Sequence, residues 1–168
     1  MSGEKEIIDF NKNGNLNKWN IINDVVMGGV SKASFTLSEE GYASFEGILS
    51  PDNNGGFASV RAELDSNGFE NFDGVIVRAK GDGNIYSLRF RTNLNWDDIS
   101  YQAKFNTEEN WKEFKIPFDD FTATYRGRTY DNQPKLESNN IRQAGLLISD
   151  KQFGNFSMQI DWIKFYKD

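Results

Sequence analysis

The 168-residue chain contains no cysteine and no histidine. The first absence removes disulfides, thiolate nucleophiles and Cys-ligated zinc or iron–sulfur sites. The second removes Ser-His-Asp triads, His-bound zinc and imidazole acid–base chemistry. Any catalysis would have to use carboxylates, Lys, Tyr, Arg or a metal held by oxygen. Positive charge is also short, with 19 Lys and Arg against 25 Asp and Glu, a net charge of -6. A purely electrostatic nucleic-acid binder is normally basic, so no nucleic-acid partner is expected. The sequence has no apolar run of about 18 residues, and no membrane span is expected. Residues 1–6, Met-Ser-Gly-Glu-Lys-Glu, are charged and carry no apolar core of a secretion signal, which leads to the expectation of a cytoplasmic chain.

The hydrophobic share is only 38%, yet it includes 14 Phe, 6 Tyr and 4 Trp. A well-buried Phe contributes about 1.5–3 kcal/mol, so few residues suffice for a core. The length fits one domain spanning residues 1–168.

The hydrophobic pattern has period two. Ala58, Val60, Ala62 and Leu64 alternate with Ser59, Arg61 and Glu63; Tyr86, Leu88 and Phe90 with Ser87 and Arg89; Tyr101, Ala103 and Phe105 with Gln102 and Lys104. The same holds for Phe114, Ile116 and Phe118, and for Phe156, Met158, Ile160 and Trp162. Such alternation marks strands buried on one face. Turn signals separate the runs, at Glu39-Glu40-Gly41 and Asn53-Asn54-Gly55-Gly56, and Asp82-Gly83-Asn84 reads as the turn of a hairpin. Residues 117–121 suit a single helical turn. Residues 122–140 give no strand signal and form the longest expected loop. The pattern predicts an all-β sandwich.

Four sets of residues could carry function. Asn23-Asp24-Val25-Val26-Met27-Gly28-Gly29-Val30-Ser31 combines two glycines with residues that close Asx turns, and reads either as a ligand loop or as a tight bend. It lacks dinucleotide-binding spacing. Ser50-Pro51-Asp52-Asn53-Asn54-Gly55-Gly56 offers oxygen atoms to a structural calcium, or is simply a polar turn; Asp52 and Asp161 are the candidate ligands, and no other cofactor is expected. In register, Arg61, Arg78, Arg89, Arg91 and Lys104 point away from the core with Ser59, Ser87, Gln102 and Gln159. If their strands are neighbours, they form a basic, hydrogen-bonding stripe suited to carboxylates, phosphates or carbonyls of a partner; otherwise they are a solvated face with local ion pairs. Trp96, Tyr125 and Tyr130 fall outside clean alternation and suit sugar stacking or a protein hot spot, or else edge packing over the sandwich ends. The acidic pairs Asp97-Asp98, Glu108-Glu109 and Asp119-Asp120 are sequence neighbours, which does not supply the opposed carboxyls of a glycosidase.

Residues 19–31, Phe45-Glu46-Gly47-Ile48-Leu49-Ser50, 55–61, 78–86, 101–105, Trp111 with Pro117-Phe118, and 156–163 resemble, in order and spacing, the complex I intermediate-associated protein 30 domain. The resemblance runs over about residues 7–166, with the Asn-Asp-x-Val-Met-Gly-Gly-x-Ser block its most specific part. It implies a galactose-binding-like jelly roll and a non-catalytic assembly factor for respiratory NADH:ubiquinone oxidoreductase, here as a stand-alone, bacterial-looking form. The partners implied are respiratory complex subunits. Relatives of the fold include carbohydrate-binding modules, so a glycan is the alternative ligand. The expected binding set is Arg61, Arg89, Arg91, Gln102 and Ser59 on the sheet, with Asn23, Asp24, Met27, Ser31 and Asn54 at its rim. Trp96 and Tyr101 are the expected anchors, although Tyr101 also alternates with the core set.

Overall fold

The computed structural model describes residues 3–10, 18–23, 32–50, 56–65, 68–95, 98–125, 128–149 and 152–168, with Asn23 described in its backbone alone. Thirteen strands lie among them: β1 (Gly3–Asp9), β2 (Trp19–Asn23), β3 (Lys32–Leu37), β4 (Ala43–Leu49), β5 (Ala58–Glu63), β6 (Gly74–Gly81), β7 (Ile85–Arg91), β8 (Ser100–Asn106), β9 (Lys112–Pro117), β10 (Thr122–Tyr125), β11 (Arg128–Thr129), β12 (Gln143–Ile148) and β13 (Gly154–Lys167). They form two antiparallel sheets. One runs β3-β4-β13-β6-β9, with β1 beside the far half of β13; the other runs β11-β10-β8-β7-β12-β5-β2. The all-β sandwich expected from period two, and the jelly roll implied by the family resemblance, are the architecture observed.

The alternating apolar residues meet between the sheets. Ala58, Val60, Tyr86, Leu88 and Phe90 from one sheet, and Phe45, Met158, Ile160, Ile163 and Phe165 from the other, are completely buried. Aromatic rings knit the layers together. Phe165 lies 5.0 Å from Phe69, 5.3 Å from Phe118 and 5.8 Å from Phe90, centroid to centroid, with the rings steeply inclined to one another. Tilted and edge-on rings at these distances gain beyond their buried area.

Four expectations need correction. Asp82-Gly83-Asn84 is not a hairpin turn: β6 pairs with β13 and β9, whereas β7 pairs with β8 and β12 in the other sheet. The segment is a corner at which the chain changes layers. Gly83 turns it with φ +90, and the Asp82 carboxylate pins it by accepting the backbone N–H of Ser157 at 2.7 Å and that of Asn84 at 3.1 Å. Second, residues 122–140 are not strandless, since β10 pairs with β8 and with β11. Third, Trp162 does not continue the inward series. The register of β13 shifts between Ile160 and Trp162, and a bulge of this kind turns consecutive residues to one side. Trp162 is therefore half-buried on the outside, beneath Lys164 Nζ at 4.1 Å from its ring centroid, and Ile163 and Phe165 resume the core.

The fourth correction concerns Tyr101, which is 7% exposed within the core, its hydroxyl donating to the Pro134 carbonyl at 2.6 Å. Its period-two neighbours Ala103 and Phe105 decide its face. The expected helical turn is present as a 3-10 turn at Phe118–Asp120.

Phe165→Ala removes the ring shared by Phe69, Phe90 and Phe118. Urea denaturation should show a loss of about 3–5 kcal/mol. A loss under about 1 kcal/mol would mean that the aromatic layer does not hold the sheets together.

Candidate functional site

The outer surface of the seven-stranded sheet is built by register. Asn20, Arg61, Gly145, Arg89, Gln102 and Thr122 lie opposite one another across β2, β5, β12, β7, β8 and β10. Directly opposed residues share a face, so these six form one row across the sheet. A second row contains Ile22, Ser59, Leu147, Ser87 and Lys104. On the other side of the first row, Glu63, Gln143 and Arg91 are aligned. All these strands except β2 have neighbours on both sides, so their backbone amides and carbonyls are engaged in the ladder. What the face offers a partner is therefore side-chain chemistry.

Arg61 and Arg89 flank Gly145. A Cβ on Gly145 would fall 2.7 Å from the Val60 carbonyl oxygen and 3.2 Å from Arg61 Cβ, so only glycine fits between the arginine stems without displacing β5. Arg89 Nε donates to Gln102 Oε1 at 3.2 Å. Burial, and next the positive charge of Arg61, lower the Arg89 guanidinium from its ordinary value to about 10. It stays a cation at neutral pH, but folding weakens its hold on its proton. Its charge therefore costs the folded state stability below about pH 10, and the cost is relieved as pH rises from there toward the ordinary guanidinium value.

The remaining expected site residues divide. Ser59 belongs to the face but is buried, its hydroxyl donating to the Ile22 carbonyl at 2.7 Å. Arg91, the last residue of β7, is also on this side but only 7% exposed, and the segment after β7 begins next to it. Gln143 Nε2 holds that segment through the Asn93 and Asn95 carbonyls, at 2.9 and 3.3 Å. Hydrogen bonds from Asn95, the Ile99 amide and Asn93, with the nearby charge of Arg91, hold the Asp98 carboxyl below its usual range. Asp24, Met27, Ser31, Asn54 and Trp96 lie outside the described residues, as does the Asn23 side chain. Asn20, Thr122 and Gly145 were not anticipated. A glycine within an apolar strand, at Gln143-Ala144-Gly145-Leu146, is the sequence signal of close approach that points to the last of them.

Arg78 and Gln159 do not join the stripe, because β6 and β13 belong to the other sheet. Arg78 Nε instead donates to Asp161 Oδ2 at 3.1 Å, and its guanidinium lies 5.2 Å from the Trp111 ring centroid. This engagement makes Asp161 a poor fit for a calcium ligand, and Asp52 is outside the described residues. Among the described residues no three acidic groups cluster to hold a metal. The adjacent carboxylates turn to separate surface partners: Glu108 to Lys112 at 3.2 Å, and Asp119 to Lys135 at 2.6 Å. Among the described residues no helix is long and apolar enough to cross a membrane.

Two antiparallel sheets in this order make a jelly-roll sandwich of the galactose-binding-like fold class. A family 11 carbohydrate-binding module of Clostridium thermocellum, solved with a β-1,3-1,4-mixed-linked tetrasaccharide, superposes with a TM-score of 0.69 over 97% of this chain and 95% of that one. At 18% identity the similarity is one of fold. The model of the complex I intermediate-associated protein 30 family matches residues 8–160, and the chain belongs to that family. It is 26% identical to the mitochondrial complex I intermediate-associated protein 30 of Drosophila melanogaster, over 96% of this chain and 62% of that protein. It is 28% identical to the probable Caenorhabditis elegans counterpart, over 83% of this chain and 47% of that protein. The chain thus spans about half to three-fifths of the length of these relatives. Both are named mitochondrial, which overturns the expectation of a cytoplasmic chain. Both are animal proteins and lend no support to a bacterial form.

Replacing Arg61 with Gln removes the like charge beside Arg89 while keeping a long polar side chain. At pH 7.5 and low salt the variant should be more stable by about 0.5 kcal/mol, with the gain shrinking as salt screens the pair. Urea melts at two ionic strengths check this. A salt-independent loss of stability would show that the two charges do not oppose each other.

Proposed function

We propose that this chain is a non-catalytic interaction domain that binds a protein intermediate during respiratory complex I assembly, through the outer face of its seven-stranded sheet. The observation that carries this reading is the juxtaposition of Arg61 and Arg89 in one row with Asn20, Gln102 and Thr122, with Lys104 in the next row, on a chain of net charge -6. A surface that gathers cations against the overall charge has a local role, because the long-range field of the chain is negative. Guanidinium forks and amides supply directional hydrogen bonds to carboxylates and peptide groups. Family membership supports the assembly role, since the relatives are named for association with complex I intermediates.

The glycan reading rests on the fold shared with carbohydrate-binding modules. It is less well supported by the side chains. Among the described outward residues of β5, β7, β8 and β12, none is aromatic: Tyr86, Phe90, Tyr101 and Phe105 all lie in the core. Tyr125 is half-buried and Tyr130 39% exposed, but both lie at the β10–β11 edge of the sheet, so the central strands offer no ring on which a sugar could stack.

The decisive experiment isolates the tagged chain from respiring cells and measures complex I subunits recovered with it. Arg61→Ala/Arg89→Ala should reduce recovery by about tenfold or more while circular dichroism stays that of the parent. Unchanged recovery with an intact fold would remove the face as the interface. In parallel, tryptophan fluorescence titrated with neutral and acidic oligosaccharides should not respond, and a saturable response would shift the assignment to glycan binding.

A further inference from the structure

We infer that Arg61 and Arg89, with Gly145 as the floor between them, form a receptor for a single carboxylate side chain, an Asp or Glu in an acidic segment of the protein partner. This deepens the interface reading above and rests on it. One strand, β12, separates the arginines, and its residue in their row has no side chain. The strand spacing puts the two stems about 10 Å apart, which two extended guanidinium groups can bridge by converging on one small group. A methyl at Gly145 would be built against the Val60 carbonyl and the Arg61 stem, so the gap is maintained by the residue type.

The remaining contacts set orientation and ligand class. Arg89 gives its Nε–H to Gln102 Oε1, which fixes the plane of the guanidinium and leaves its terminal nitrogens directed by that bond. Among the described residues Arg89 forms no ion pair. The charge of Arg61 acts unfavourably on Arg89. An anion between them would convert this repulsion into two attractions. Phosphate sites usually draw on free backbone N–H groups, at helix N-termini or in nests. Here the backbone of β5, β12 and β7 is consumed by the ladders on both sides, leaving planar forks as the donors, and these match a carboxylate bidentately. Asn20, Gln102 and Thr122 continue the row with neutral groups suited to the peptide amides beside such a side chain.

The test is NMR of the Arg Nε–Hε signals of the full chain at constant ionic strength. Probes are the peptide acetyl-Gly-Glu-Gly-amide, its Gln counterpart and inorganic phosphate. The Glu peptide should shift the Arg61 and Arg89 signals saturably, and the Gln peptide should not. Arg89→Lys, which keeps the charge but loses the fork, should weaken Glu-peptide binding by about tenfold, as should Arg61→Gln; the dispersed amide spectrum of each variant verifies its fold. Equal response to both peptides, an unaltered affinity in Arg89→Lys, or tighter binding of phosphate would each overturn the carboxylate receptor. If these fail while the double alanine variant still loses complex I subunits, the interface reading stands without the receptor. If subunit recovery is unaffected while the Glu peptide binds as described, the receptor stands and its partner lies elsewhere.

Discussion

The outer chemistry of this protein depends on the aromatic layer beneath it. Phe45, Tyr86, Phe90 and Phe165 fill the space between the sheets, and Phe90 and Phe165 also link to the rings of Phe118 and Phe69. Burial of these rings fixes which side of each strand faces inward. Because side chains alternate strictly along a strand, a one-residue slip would carry Arg61 and Arg89 into the interior and Val60 and Leu88 into water. Positioning of the cationic row is thus a consequence of core packing, and it needs no contact among the row's own members.

The same geometry explains why the face is chemically simple. Strands with partners on both sides have no unused backbone polar groups, so β5, β12, β7 and β8 act as a rigid board that displays every second side chain. Gly145 is the position at which the board itself matters, since the neighbouring strand leaves no room for a Cβ. Around it the arginines are held apart by strand spacing, and burial, with the charge of Arg61 second, lowers the Arg89 guanidinium. On the opposite sheet Arg78 is engaged by Asp161 and Trp111, and Lys80 lies over Trp111 and Tyr42.

Much of this was legible in the residues. Alternation over 58–64, 86–91 and 101–105 located three strands of one sheet and placed Arg61, Arg89, Lys104 and Gln102 on their outer sides, as observed. The misreadings have a common cause, namely that local pattern carries no information about which strands become neighbours. The Asp82–Gly83–Asn84 signal marks a real turn, but the turn crosses between layers. Arg78 shares the period of the other arginines but not their sheet. Trp162 fits an inward series until a bulge, visible only in the pairing of β13 with β6, displaces it. Strand β12 is buried along its whole length and so shows no alternation, which hid Gly145.

The residues alone determined the class of fold and the inward or outward sense of most strands, because a backbone of period two must sort a mixed sequence into a greasy side and a wet side. Composition alone also set the chemistry out of reach: without cysteine or histidine, no imidazole or thiolate can act. The tertiary structure decided which outward residues stand together. Hydrogen-bonded strand order is a long-range choice made by packing, and it brought Arg61 and Arg89 to either side of Gly145 while sending Arg78 to the opposite face of the sandwich.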